Sequence, residues 1–264
     1  MSWPARFCVA ACVACLSVFS AMAQGQTNGA NDTRRAGSQF MSPSLQAMQS
    51  DDAQNPAMLW IKDGEALWNR KVGAADKSCA SCHGSAEVSM KGVAARYPAL
   101  DPRSLRPINL TQRINQCRQV HQQAPALAPE STPLLGLEAF VALQSRGMPL
   151  VAASDARLAA SLDRGAALYN QRLGQLNLSC AQCHDARAGL RLGGSLIPQA
   201  HPTGYPVYRL EWQALGSLQR RLRNCMSAMR AQPYPFGSEE LLDLELFLAS
   251  RANGMPLEAP GVRP

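Results

Sequence analysis

The sequence predicts an all-α chain built from two tandem copies of one helical unit. Three observations lead to this expectation. A Cys-x-x-Cys-His motif occurs twice, at residues 79–83 and 180–184, and each copy is followed by one lone cysteine, Cys117 or Cys225. The same offset of 101 residues separates Cys79 from Cys180 and Gly64 from Gly165, which open the similar segments 64–69 and 165–170. Both copies then close on an apolar stretch of helical period that ends in Gly-Met-Pro-Leu, at residues 147–150 and 254–257.

Taken in order, residues 1–23 carry Arg6, an apolar run from Phe7 to Phe19 and the small-x-small sequence Ala21-Met22-Ala23, the pattern of a cleaved secretory signal peptide. The mature chain is expected to begin at Gln24 in the periplasm. A lipoprotein cut before Cys12 leaves too short an apolar core. Residues 24–44, rich in Gly, Asn, Ser and Gln, read as a flexible leader. The two units are expected at 45–150 and 155–264, joined by a short linker.

Within each unit the order is helix, Cys-x-x-Cys-His loop, lone cysteine in a helix, closing helix. Leu137 to Leu143 and Glu239 to Leu248 have apolar residues at helical spacing, and the second has Ser238 as a cap with acids in its first turn. Gly147 and Gly254, each two residues before a proline, are placed to end these helices. Residues 124–133 form a proline-broken loop, and the second unit holds about seven more residues between its motif and its lone cysteine.

Two cysteines at this spacing can add to the two vinyl groups of a haem while the adjacent histidine reaches the iron, so Cys79, Cys82, Cys180 and Cys183 are candidate attachment points for two covalently bound haem c groups, with His83 and His184 as axial ligands. Three of the nine cysteines leave with the signal, and Cys117 and Cys225 are the two without an assignment. In an exported protein such a pair suggests a disulfide. Their matching positions in two repeats instead suggest that each sulfur ligates one iron. Met90, Met226, Met229, His121 and His201 are the other candidates, but none recurs at matching positions; Met148 and Met255 follow the closing helix and fit poorly.

Thiolate at iron lowers the reduction potential relative to methionine, which suits sulfur chemistry better than simple electron relay. Arg221 stands one helical turn before Cys225 and can offer a forked guanidinium to a sulfur oxyanion, and Arg230 could widen the site. Arg113 is likewise four residues before Cys117, so spacing alone leaves open which site reacts. The formal charge of +7 becomes +6 without Arg6 and suits an anionic substrate or an acidic partner. No nucleic-acid-binding motif occurs, and no apolar run after the signal is long enough to span a membrane.

These features resemble class I cytochrome c domains, and the duplicated motif with Arg221-Leu222-Arg223-Asn224-Cys225-Met226 resembles the SoxA family of L-cysteine S-thiosulfotransferase subunits. That resemblance implies that thiosulfate is joined oxidatively to a cysteine of a SoxYZ carrier, with two electrons passing to cytochrome c. It implies that Cys225 is catalytic and works through a persulfide, that Arg221 binds substrate, and that Cys117 is an axial ligand of the first haem. A small monohaem SoxX-like cytochrome is the implied partner subunit. A thiosulfate dehydrogenase forming tetrathionate and a plain dihaem electron carrier are the alternatives.

Overall fold

The computed structural model describes residues 1–2 and 32–264, so the expected signal peptide and the first part of the leader lie outside the described residues. Residues 32–33 belong with the N-terminal unit, and everything from Arg34 to Pro264 forms a second, compact unit.

That unit contains helices α1 (Pro43–Ser50), α2 (Ala57–Asn69), α3 (Ala80–His83), α4 (Ala86–Ser89), α5 (Leu110–Cys117), α6 (Thr132–Leu143), α7 (Ala159–Asn170), α8 (Cys180–His184), α9 (Leu218–Ala228) and α10 (Glu239–Arg251). The expectation of an all-α fold is corrected by seven short strands: β1 (Ala99–Asp101), β2 (Arg106–Ile108), β3 (Arg191–Leu192), β4 (Ser195–Leu196), β5 (Val207–Arg209), β6 (Ala214–Gly216) and β7 (Gly261–Arg263). β1–β2 and β3–β4 are antiparallel hairpins, and β5 pairs antiparallel with β6 and parallel with β7. Tyr97 and Tyr205 each precede a proline, which disfavours helical backbone at that residue and starts an extended segment just ahead of β1 and β5.

Each repeat is organised by a crossing of its first and last long helices, α2 over α6 and α7 over α10. Glycine makes both crossings possible, because Gly64 lies against the Gly136 backbone and Gly165 against that of Asp243. Aromatic pairs flank them, Trp68 with Phe140 at 5.9 Å between ring centroids and Tyr169 with Phe247 at 5.2 Å. Leu137 and Leu241 are among the most buried side chains of α6 and α10.

The two Gly-Met-Pro-Leu segments pair with each other. Gly147 N donates to Leu257 O at 2.8 Å and Gly254 N to Leu150 O at 2.7 Å, with matching bonds from Leu150 N to Met255 O and from Leu257 N to Met148 O. Met148 and Met255 therefore sit in the seam between the repeats. The helices end at Leu143 and Arg251, a few residues ahead of these glycines, whose φ of +80° and +82° completes the turn.

From Arg34 onward the expected leader is held in place. Arg34 Nη1 donates to Arg251 O at 3.1 Å and to Asn253 O at 2.9 Å, Phe40 is buried, and Ser42 caps α1 through Leu45 N. Gln49 of α1 accepts from Val262 N at 3.0 Å, and Asn55 donates to Pro260 O at 3.1 Å. Polar side chains, Arg34 of the leader and Gln49 and Asn55 just after it, are the groups that bond this start of the chain to the second repeat.

Candidate functional site

α8 is a single turn that presents Cys180, Cys183 and His184 together, capped by Ser179 through Gln182 N. His184 Nδ1 is 2.7 Å from Pro198 O, which orients the ring and leaves Nε2 for another ligand. Cys225 lies on α9, whose start is fixed by Ser217 accepting from Arg220 N at 3.1 Å. His184, Arg221 and Cys225 line one cavity of about 610 Å³.

A second cavity of about 380 Å³ is lined by Cys79, Cys82, His83 and Cys117 in the first repeat. Cys117 ends α5, which Asn109 caps by accepting from Gln112 N at 3.0 Å, and the chain then takes one wide turn over Arg118–Gln122. The first cavity thus combines a thiol pair, an imidazole and a further thiol on a separate helix, and the second combines His184 with Cys225, the thiol pair of α8 lying one turn or less before that histidine. That donor set fits a covalently attached haem with nitrogen and sulfur axial ligands.

Cys117 and Cys225 line different cavities, and all six cysteines among the described residues are free thiols. The disulfide alternative is not what the structure contains. Met226 is buried in the α9–α10 core and Met229 packs against it, whereas Met90 and His121 line the first cavity. His201 lines the second, with Nδ1 2.9 Å from Arg35 O.

The electrostatics of the two lone cysteines differ in sign. Burial pushes the Cys117 thiol up, against the opposing charge of Arg113. Burial also opposes ionisation of Cys225, but the hydrogen bond from His184 and the charges of Arg221, His184 and Arg209 outweigh it and hold the thiol below its ordinary value. Cys180, buried beside Cys225, is pushed up to about 11.

The arginines around Cys225 separate by what they touch. Arg220 stacks on Trp212 at 4.0 Å, and Arg223 stacks on Phe236 at 4.4 Å while donating to Tyr234 O. Arg221 alone of the three lines the cavity, and among the described residues its guanidinium has no hydrogen-bond or ion-pair partner. Arg230 is exposed at the turn after α9, with φ of +56°, and does not line the cavity. In the first repeat Arg113 is occupied: its Nη2 is 3.6 Å from Asp101 Oδ1 and its Nη1 donates to Gln116 at 2.9 Å.

Motif spacing does not single out Asp101, Pro198, Tyr205, Arg209 or Arg263, yet the structure puts each at one of the two sites. Aligning the repeats on their Tyr-Pro dipeptides exposes two of these positions, Asp101 and Arg209, in the sequence.

Residues 63–150 and 164–257 each match the family described as SoxA/TsdA, cytochrome c domain. The chain is 35% identical over 235 residues to the L-cysteine S-thiosulfotransferase subunit SoxA of Rhodovulum sulfidophilum, covering 88% of this chain and 81% of that protein. It is 33% identical to the SoxA subunit of Paracoccus pantotrophus, covering 88% and 80%. The crystal structure of SoxXA from P. pantotrophus superposes with a TM-score of 0.84 at 32% identity, over 88% of this chain and 87% of that one. Two cytochrome c domains built on crossed helices, each with its own thiol-lined cavity, and these likenesses across most of the chain establish that it belongs to the SoxA family of cytochromes.

Proposed function

We propose that this chain is the dihaem catalytic subunit of a periplasmic L-cysteine S-thiosulfotransferase. It joins thiosulfate to a cysteine thiol of a SoxYZ-type carrier, giving a carrier S-thiosulfonate, one proton and two electrons. The observation that carries this reading is an asymmetry: Cys225 shares its cavity with an unpartnered guanidinium, Arg221, whereas the Arg113 beside Cys117 is neutralised by Asp101. The second cavity therefore attracts a small dianion to its sulfur atom and the first does not.

Cys79, Cys82, His83 and Cys117 are the residues that would hold the first haem, and Cys180, Cys183, His184 and Cys225 those that would hold the second. The group at the second site, when bound, supplies the one-electron steps that take two electrons away toward cytochrome c. Arg221 holds the sulfonate end of thiosulfate and turns its outer sulfur toward Cys225, which carries a persulfide sulfur. The guanidinium charges of Arg221 and Arg209 favour anionic sulfur at Cys225. A SoxX-like monohaem cytochrome completes the enzyme, in keeping with the SoxXA structure that this chain resembles.

The test combines mass mapping of the Cys225 peptide from the mature haem-loaded protein with turnover of thiosulfate and ferricytochrome c, with and without a carrier thiol. One extra sulfur atom on Cys225 and a strict need for the carrier support the reading. Turnover without a carrier, yielding tetrathionate, assigns a thiosulfate dehydrogenase instead, and no turnover under either condition leaves a plain electron carrier.

A further inference from the structure

Residues 97–117 and 205–225 run in register at a constant offset of 108. Tyr97 and Tyr205 each precede a cis-proline, Asn109 and Ser217 each cap a helix, and Arg113 and Arg221 each stand one turn before a lone cysteine. In this register one pair of charges is exchanged. The first repeat has Asp101 at the end of β1 followed by Arg103, and the second has Arg209 at the end of β5 followed by Glu211. In both repeats the first member is the buried one. The Asp101 side chain is 5% exposed and that of Arg209 12%, whereas Glu211 is 61% exposed and Arg103 is also on the surface.

The exchange changes which charges surround the two cysteines. Asp101 pairs with the guanidinium beside Cys117, but Arg209 adds its guanidinium to those of Arg191, Arg221 and Arg263 in the cavity that holds Cys225. We infer that Arg209 is a second substrate-binding residue of the Cys225 site and that, with Arg221, it selects a small dianion.

Arg209 is held for such a role. Its Nη2 donates to Glu211 at 2.8 Å, its Nε donates to Pro264 O at 2.9 Å, and its guanidinium lies 5.0 Å from the Trp212 ring centre. Nη1 is left uncommitted. Glu211 is exposed and compensates weakly, because an ion pair in contact with water retains little of its Coulomb energy. Two partly desolvated guanidinium groups in one cavity repel, and a doubly charged anion between them relieves that repulsion while satisfying their remaining N–H donors. Tyr205, which is half-buried, lines the same cavity.

This inference rests on reading the Cys225 cavity as the thiosulfate site. The experiment uses the haem-loaded protein with its partner cytochrome and compares Arg209→Gln, Arg209→Lys and Glu211→Gln. It measures thiosulfate kinetics with ferricytochrome c and a carrier thiol, competition by inorganic sulfate, and the visible spectrum and potential of the haems. Arg209→Gln is expected to raise the KM for thiosulfate about tenfold and to weaken sulfate competition in parallel, with kcat within about twofold and the haem spectra unmoved, the loss of one charged hydrogen bond. Arg209→Lys keeps the charge without the fork and falls between. Glu211→Gln, which removes an exposed compensating carboxylate, lowers KM.

An unchanged KM with a shifted haem potential makes Arg209 a partner of the haem edge and overturns the inference. Loss of haem in both Arg209 variants, with no effect of Glu211→Gln on KM, overturns it as well. If the wild type shows no thiosulfate turnover, the functional reading fails separately. Equilibrium binding of sulfate to the oxidised protein, strong in the wild type and about tenfold weaker in Arg209→Gln, still decides the anion site.

Discussion

Gly165 of α7 lies so close to Asp243 of α10 that a β-carbon on it would sit 2.1 Å from the Asp243 carbonyl oxygen, and Gly64 stands at the same 2.1 Å from the Gly136 carbonyl oxygen in the first repeat. These two crossings set the depth at which each closing helix packs over its cavity. The second is also tied by Arg164, whose Nε donates to the buried Asp243 carboxylate at 2.7 Å.

Gly165→Ala is therefore expected to force the helices apart and to destabilise the haem-loaded protein by about 1–3 kcal/mol, as overpacking against backbone generally does. A chemical denaturation curve measures this. Gly194→Ala, at a site with nothing within 4 Å of the added carbon, is the control and is expected to stay within about 0.5 kcal/mol.

Arg221→Ala and Arg113→Ala should separate by observable. The first removes an unpartnered guanidinium from the cavity and raises the thiosulfate KM at least about tenfold. The second strands Asp101 with only Ser104 and Gln116 as side-chain partners and costs about 1–3 kcal/mol of stability, with KM unmoved. Steady-state kinetics together with denaturation distinguish the two, and equal KM effects would mean that both cavities take substrate.

Cys225→Ala is expected to abolish thiosulfate-dependent electron release. Cys117→Met instead replaces a thiolate by a neutral thioether and raises the potential of the first haem. A spectroelectrochemical titration reads this directly, and an unmoved potential removes Cys117 from the iron.

A pH effect is expected from the seam between the repeats. Glu138 of α6 and Glu245 of α10 occupy matching positions in the two closing helices and line one small cavity of about 80 Å³. Burial, reinforced by the charge of Glu245, pushes Glu138 from its ordinary 4.5 up to about 8. Burial likewise raises Glu245 to about 7, against the hydrogen bond from Asn109. The folded chain keeps protons here that the unfolded chain has released, so the contribution of this pair to stability is full below pH 4.5 and declines as pH rises toward about 8. Glu138→Gln, which cannot ionise, should flatten that decline. Thermal melts of both proteins from pH 5 to 9 check it, and parallel curves would show that Glu138 is ionised throughout.

Much of the helical frame was legible in the residues. Ser238 marks a helix start that the structure caps where expected, and the duplicated Gly-Met-Pro-Leu marks the end of each repeat, because caps and terminating glycines act through neighbours a few residues away. The short strands were missed, since β5 owes part of its pairing to β7, more than fifty residues later in the chain. The ordered start at Arg34 was missed for the same reason: its bonds are to Arg251 and Asn253.

Which residues can carry the chemistry is already written in the chain: two thiol pairs, two histidines, two lone cysteines and an arginine one turn before each. Those are properties of residue type and local spacing. Folding settles which of the two arginines is left without a partner. Asp101 reaches Arg113 from a separate strand, Arg209 and Arg221 meet at one cavity from β5 and α9, and charges at such distances in sequence act on each other only once folding has brought them together and removed the water between them.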